Sequence, residues 1–134
     1  MLDPHGALVY TMVIVSGAET SMSETELAII GDIIGHLPVF HGFDPQTLSG
    51  HLNDCADLLS GEDGLEKTLA AIKTALPERL GETAYAIGCD LVAADGQATQ
   101  EELQILDLIR RRLGVGRLAA AAIERGAKAG FQKL

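Results

Sequence analysis

The chain has 134 residues, a length typical of one domain, and 47% of them are hydrophobic, which is enough for a single buried core. Its 19 acidic and 10 basic side chains give a net charge of −9, which excludes a strongly basic nucleic-acid binder because phosphate neutralisation needs clustered Lys and Arg. Dense, periodic apolar residues exclude a disordered chain. We therefore expect one domain over residues 1–134.

Apolar residues recur at helical spacing along almost the whole chain, and no segment alternates long enough to predict a strand. Leu48, Leu52, Cys55 and Leu59, for example, fall on one face of a helix. Proline, glycine and helix-capping residues divide the pattern into seven predicted helices: 5–18, 23–37, 44–60, 62–76, 77–94, 99–113 and 115–127. The pattern predicts an all-α fold, a compact bundle of about seven helices.

The first and fifth predicted helices are apolar around most of their circumference, so we expect them at the centre of the bundle. The apolar run over 6–18 has 13 residues, whereas a membrane-spanning helix needs roughly 20. The start of the chain lacks a positively charged segment, so we expect no secretory leader. Cys55 and Cys89 form no CxxC pair, and we expect reduced thiols packed in the core of a cytoplasmic protein.

Charge is distributed unevenly between the two halves. Residues 1–66 carry 11 acidic and no basic side chains, whereas residues 67–134 carry 8 acidic and 10 basic ones. Two interpretations remain open: a solvated acidic surface balanced by the other half of the fold, or a surface that binds cations or a basic partner. The one basic cluster, Arg110–Arg112 with Arg117, suits a helix C-terminus, and the alternative is a contact with the acidic half or with a partner.

An internal repeat appears when the sequence is shifted by 76 residues. Residues 18–27 then align with 94–103, and Ile29 and Ile33 align with Ile105 and Ile109. Each copy is an apolar helix, an acidic residue, a short turn, a Ser or Thr, a Glu three residues later and an amphipathic helix. The repeat predicts two pseudo-repeated helical hairpins in one globule.

The polar residues of these turns have two explanations. Ser23 with Glu26, and Thr99 with Glu102, fit capping boxes, in which the hydroxyl and the glutamate satisfy each other's backbone amides. This account needs no ligand.

The alternative is a divalent-cation site. Glu19 and Glu26 are seven residues apart, as are Asp95 and Glu102, so in a tight hairpin each pair of acids can converge. Ca²⁺ and Mg²⁺ prefer several oxygen ligands. Three further acids lie close enough in sequence to add carboxylates: Asp90, Glu24 and Glu101. The D-x-D-x-D-G run of an EF-hand is missing.

The second copy, residues 84–102, resembles the signature of the TerB tellurite-resistance family: an alanine-rich helix, then A-D-G, two residues, Ser or Thr, and a Glu soon after. The first copy shows a weaker form, and the resemblance covers roughly residues 7–115. It implies an all-helical, cytoplasmic protein linked to tellurite resistance and chemical stress. It also implies binding of metal ions through acidic residues, an integral membrane partner of the TerC type, and no catalytic activity.

Carried onto this sequence, the family's acids match Asp95 and Glu102 in the second copy, and Glu19 and Glu26 in the first. The first copy departs from the family at Thr20, where the family has Gly, and at Glu19, where it often has Asp. No His-Pro-Asp tripeptide occurs, so a J-domain activity is not expected.

We therefore expect a non-enzymatic, metal-binding stress protein that works with Ca²⁺ or another divalent ion and no organic cofactor. A helical protein-interaction module without a metal site is the alternative. An enzyme with a carboxylate pair is a third possibility. Neither a zinc site at His36 and His41 nor a nucleophile motif is supported by the residue spacing.

Overall fold

The computed structural model describes residues 2–17, 22–96 and 98–134, and every regular element in these ranges is helical. Seven α-helices follow one another: α1 (Pro4–Ser16), α2 (Glu24–His36), α3 (Leu48–Ser60), α4 (Gly64–Ala75), α5 (Gly81–Asp95), α6 (Gln100–Arg112) and α7 (Arg117–Gly130). Three short 3₁₀ turns connect them: Pro38–Phe40, Pro45–Thr47 and Glu78–Leu80. The expectation of an all-α bundle of about seven helices is confirmed.

Two helices begin four residues later than predicted, because a proline and a 3₁₀ turn precede each of them. The chain enters α3 through Pro45–Thr47, so the α-helix begins at Leu48 and not at 44. Asp44 is a cap as expected, and its carboxylate accepts a hydrogen bond of 2.9 Å from the Gln46 amide, but it caps the 3₁₀ turn. Glu78–Leu80 likewise precedes α5, which begins at Gly81 and not at 77.

Other helix ends differ from the prediction by two or three residues. α1 ends at Ser16, two residues early, because Gly17 takes the left-handed conformation with φ 68°. α4 begins at Gly64 and not at 62, since Asp63 before it has a positive φ of 53°. α7 continues to Gly130, three residues beyond the predicted end.

α1 is the central helix, as its apolar sequence predicted. Its residues from Gly6 to Val15 are all buried, and it packs against α3, α4, α5 and α6. Asp3 caps its start, accepting a hydrogen bond of 2.7 Å from the Gly6 amide. In the described part of the chain, no helix combines the length and the apolar character that crossing a membrane requires.

α5 is the second central helix and packs against α1, α6 and α7. Gly88 makes the close approach possible, since a Cβ atom there would lie 2.9 Å from Leu106 Cδ2 and 3.3 Å from Val15 Cγ2. Cys55 and Cys89 are both free and buried, which confirms the packing role expected of them. Burial raises the pKa of each thiol to about 12.

Arg110, Arg111 and Arg112 lie in the last turn of α6, as expected of cations at a helix C-terminus, and one of them also contacts the acidic half. Arg110 and Arg111 pair with Asp107 one turn earlier, at 3.4 and 3.0 Å. Arg112 reaches Glu66 on α4, so one cation of the second half contacts the acidic first half directly.

Candidate functional site

The ends of four helices converge on one cavity of about 390 Å³: the C-termini of α1 and α5 and the N-termini of α2 and α6. The two predicted hairpins are formed by α1 with α2 and by α5 with α6. In the structure α5 packs against α6, whereas α1 has few contacts with α2 and packs against α6, and α2 packs against α5. The repeat predicts two similar motifs, and the structure adds that the described ends of their helices line one cavity. We call this space the carboxylate cavity; it is defined by its acidic lining residues Glu26, Asp95, Glu101 and Glu102.

Both predicted capping boxes are present at the cavity. The Ser23 hydroxyl accepts a hydrogen bond of 3.1 Å from the Glu26 amide, and Oε1 of Glu26 accepts one of 3.0 Å from the Ser23 amide. The corresponding bonds between Thr99 and Glu102 are 3.1 and 2.8 Å long. Two helix starts are thus held in the same way on two sides of one space.

The lining of the cavity has pseudo-twofold character. Residues separated by the 76-residue shift line it in pairs: Val15 with Leu91, Ser23 with Thr99, Thr25 with Glu101, Glu26 with Glu102, and Ile29 with Ile105. Aliphatic side chains form the inner wall, and hydroxyls and carboxylates surround the opening. No Lys, Arg or His lines the cavity among the described residues.

Capping accounts for only part of this polar lining. Glu26 and Glu102 each use Oε1 in a capping box, and no described residue donates a hydrogen bond to Oε2 of either. Asp95 and Glu101 are exposed, and neither side chain has a hydrogen bond or an ion pair with a described residue. The cavity therefore holds carboxylate oxygens that protein donors leave available.

Asp95 occupies an electrostatically unfavourable position. It is the last residue of α5, where the helix dipole presents partial negative charge, and Gly96 beyond it is left-handed with φ 88°. An acid is disfavoured at this end of a helix, and no described residue compensates for it. Such departures from local preference are expected at functional or strained positions.

The structure brings three of the predicted ligands together: Glu26, Asp95 and Glu102. Asp90 is on α5 but does not line the cavity; it is half-buried, and burial raises its pKa. Glu24 is exposed and lies outside the lining. Glu19, the counterpart of Asp95 in the first copy, lies outside the described residues, as does Thr20.

The four carboxylate residues line one cavity but do not form a coordination sphere. Within 2–17, 22–96 and 98–134, no three His, Cys, Asp or Glu side chains are grouped so that they could hold one metal ion. Since like charges repel, free carboxylates favour separation until a cation lies between them. The donor type suits a hard divalent cation, but binding requires the exposed Asp95 and Glu101 to turn inward.

Two residues that line the cavity are not clearly predicted by the sequence. The sequence indicates Glu101 only as a further possible ligand, and it gives no prediction for Thr25, the equivalent residue in the first copy. Both are the second residue of a helix whose third residue closes a capping box. The repeat could have indicated both residues, because it aligns Thr25 with Glu101 and aligned residues of the two copies line the same cavity.

The chain matches no protein-family model, no curated protein and no solved structure.

Proposed function

We propose that this chain is a non-enzymatic stress-response protein of the TerB-like type that binds a divalent cation, Ca²⁺ in the first instance, in the carboxylate cavity. The observation that carries the proposal is the convergence of four carboxylates, Glu26, Asp95, Glu101 and Glu102, on one space without a lining Lys or Arg. The tellurite-resistance role, the cytoplasmic location and a membrane partner of the TerC type follow from the resemblance of residues 84–102 to that family.

Asp95 and Glu101 are the residues we expect to respond to the ion. Neither is engaged with a described donor, so both can turn toward a cation without breaking a cap. Glu26 and Glu102 can contribute Oε2 while Oε1 stays in the capping box. The cation would offset both the mutual repulsion of the acids and the unfavourable position of Asp95 at the end of α5.

The experiment is a thermal melting curve with and without millimolar calcium, on wild type, Asp95→Asn and the control Asp32→Asn. Asp32 is an exposed acid on α2 outside the cavity, so its substitution makes the same charge change elsewhere. A bound ion should stabilise the wild type by about 2.7 kcal/mol at a hundredfold excess over Kd. We expect that gain to persist in Asp32→Asn and to fall sharply in Asp95→Asn.

The apo proteins supply an independent readout. Without calcium, Asp95→Asn should be more stable than wild type by about 0.3–1 kcal/mol, because it removes an anion from the C-terminal end of a helix dipole. Raised apo stability together with a lost calcium response is a pattern that general damage does not produce. Equal calcium shifts in all three proteins would exclude Asp95 as a ligand.

The alternative function, a helical interaction module without a metal site, is favoured by one observation: hydrogen bonds within the capping boxes account for Ser23, Glu26, Thr99 and Glu102 as helix caps. Absence of a calcium shift in every variant would support this alternative. The cellular part of the proposal is tested by deleting the gene and measuring growth on tellurite. Restoration by wild type but not by Asp95→Asn would connect the cavity to resistance.

A further inference from the structure

A second cavity, of about 840 Å³, lies between α6 and α7 with α5 as its floor. Both α6 and α7 pack against α5, whereas they have few contacts with each other, and this leaves the space open. We call it the α5–α7 cleft. It has no lining residue in common with the carboxylate cavity. The faces that form it are Tyr85, Cys89 and Val92 on α5, Leu103, Leu106 and Arg110 on α6, and Glu124, Ala127 and Lys128 on α7.

The interior of the cleft is apolar and elongated. Val92, Leu106 and Ala127 are buried along its length. The lining on α5 extends from Tyr85 to Ala94, which corresponds to about 14 Å at the rise of an α-helix. A volume of this size lies within the range of about 300–1,000 Å³ that is usual for small-molecule sites.

Large apolar side chains remain exposed at one end of the cleft. Leu103, in the first turns of α6, is 48% exposed, and Phe131, which follows α7, is 44% exposed. Both line the cleft near the C-terminal end of α5, beside Gly96. An apolar ligand chain lying against them would remove this surface from water.

The charges of the described residues that line the cleft are positive in sum. Its two acids, Asp107 and Glu124, are outnumbered by three cations, Arg110, Lys128 and Lys133. Asp107 pairs with Arg110 and Arg111, and the neutral Tyr85 phenol donates a hydrogen bond of 2.5 Å to Oε2 of Glu124. Lys128 and Lys133 also line the cleft, and neither forms an ion pair with a described residue. In a chain of net charge −9, this is a local reversal of sign.

We propose that the α5–α7 cleft binds a single-chain anionic amphiphile of the fatty-acid class. The apolar chain lies along Val92, Leu106 and Ala127. The carboxylate lies at Lys128 and Lys133, where ammonium groups can offset its charge. For a cationic amphiphile of the same chain the described lining offers only Glu124 outside an ion pair, and Oε2 of that residue already accepts a hydrogen bond from Tyr85.

The test is calorimetric titration of the full chain with dodecanoate below its micellar concentration, in calcium-free buffer. Dodecyltrimethylammonium, which has the same chain and the opposite charge, is the matched ligand control. We expect saturable binding of dodecanoate and at least about tenfold weaker binding of the cation, the difference expected from losing two exposed charge pairs. Equal binding of both, or no saturable binding of dodecanoate, would overturn the proposal.

Two double variants localise the site. Lys128→Glu with Lys133→Glu reverses the charge at the cleft, while Lys67→Glu with Lys73→Glu makes the same net change on exposed positions of α4. Dodecanoate binding should weaken by about tenfold only in the first. Equal weakening in both would contradict a specific site.

Sedimentation of the ligand-free protein tests whether a second copy of the chain, and not an amphiphile, occupies the cleft. Self-association that disappears in the Lys128→Glu, Lys133→Glu variant, without dodecanoate binding by the wild type, would assign the cleft to a second copy of the chain and overturn the proposal. Because no lining residue is common to the two cavities, failure here leaves the calcium experiment unaffected, and the reverse also holds.

Discussion

The Tyr85 phenol donates a hydrogen bond of 2.5 Å to Oε2 of Glu124, joining α5 to α7 across 39 positions of sequence. Tyr85 is 3% exposed, whereas Glu124 is exposed, so a buried donor meets an acceptor at the surface. α7 has no side-chain cap at its start. This bond is therefore a specific polar contact that holds α7 against α5.

Removal of the hydroxyl should measure this contact. We expect Tyr85→Phe to lower the free energy of unfolding by about 1–2 kcal/mol, because a hydrogen bond to a charged acceptor is lost and the exposure of Glu124 reduces its contribution. Urea denaturation gives the value. Tyr10→Phe is the control, since Tyr10 is also buried but has no side-chain hydrogen bond to a described residue. Equal losses in the two variants would mean that the Glu124 contact adds nothing.

The same variant should change the response to alkaline pH. Burial, with the Glu124 hydrogen bond second, raises the pKa of Tyr85 above its ordinary value of 10.0. A raised folded-state pKa gives stability that is complete below pH 10 and is lost as the pH rises further, since only the unfolded tyrosine ionises readily. The wild type should therefore lose stability above pH 10 more steeply than Tyr85→Phe.

Thr99 tests the structural role of the second turn. Thr99→Ala removes the hydroxyl that caps the Glu102 amide, and the free energy of unfolding should fall by about 0.5–2 kcal/mol. Thr99→Ser keeps the hydroxyl and should recover most of the loss. Chemical denaturation of the three proteins in parallel provides the comparison, and an unchanged midpoint in Thr99→Ala would show that the box contributes no stability.

Asp90 should destabilise the fold at neutral pH. Burial raises the pKa of its carboxyl above 3.8, which means that the folded state disfavours the charged form. By linkage, stability associated with Asp90 is complete below pH 3.8 and is lost as the pH rises through the folded-state pKa. Asp90→Asn should therefore stabilise the protein at pH 7 and have little effect near pH 3. A stability gain of the same size at both pH values would point to a cause other than charge burial.

The sequence predicted those parts of the structure that depend on local chemistry. Apolar periodicity located the helices, and the Ser23–Glu26 and Thr99–Glu102 spacings located the caps. The predicted helix starts were wrong at Pro45 and ahead of Glu78, where a proline precedes or begins a 3₁₀ turn. A proline is equally common in the first turn of an α-helix, so the sequence pattern does not distinguish the two.

Predictions about the sites succeeded only where a repeat supplied long-range information. The 76-residue shift anticipated that Glu26 and Glu102 belong to related turns, and the structure places both at one cavity. The α5–α7 cleft had no such signal. Its lining residues, such as Tyr85, Leu106 and Lys128, come from three helices, and each helix pattern explains them separately as core or surface.

Thr25 and Glu101 occupy equivalent positions of the repeat but differ in charge, so the two sides of the carboxylate cavity are not equivalent. In a symmetric dimer of two identical hairpins, equivalent positions carry the same residue, and a ligand meets the same groups from either side. In one continuous chain the two sides are free to differ. α5 and α6 supply Asp95, Glu101 and Glu102, whereas the described part of the first hairpin offers the hydroxyls of Ser16 and Thr25 and the single acid Glu26. The negative charge of the cavity therefore lies mainly on the side of α5 and α6, and a cation bound there would lie nearer to that side.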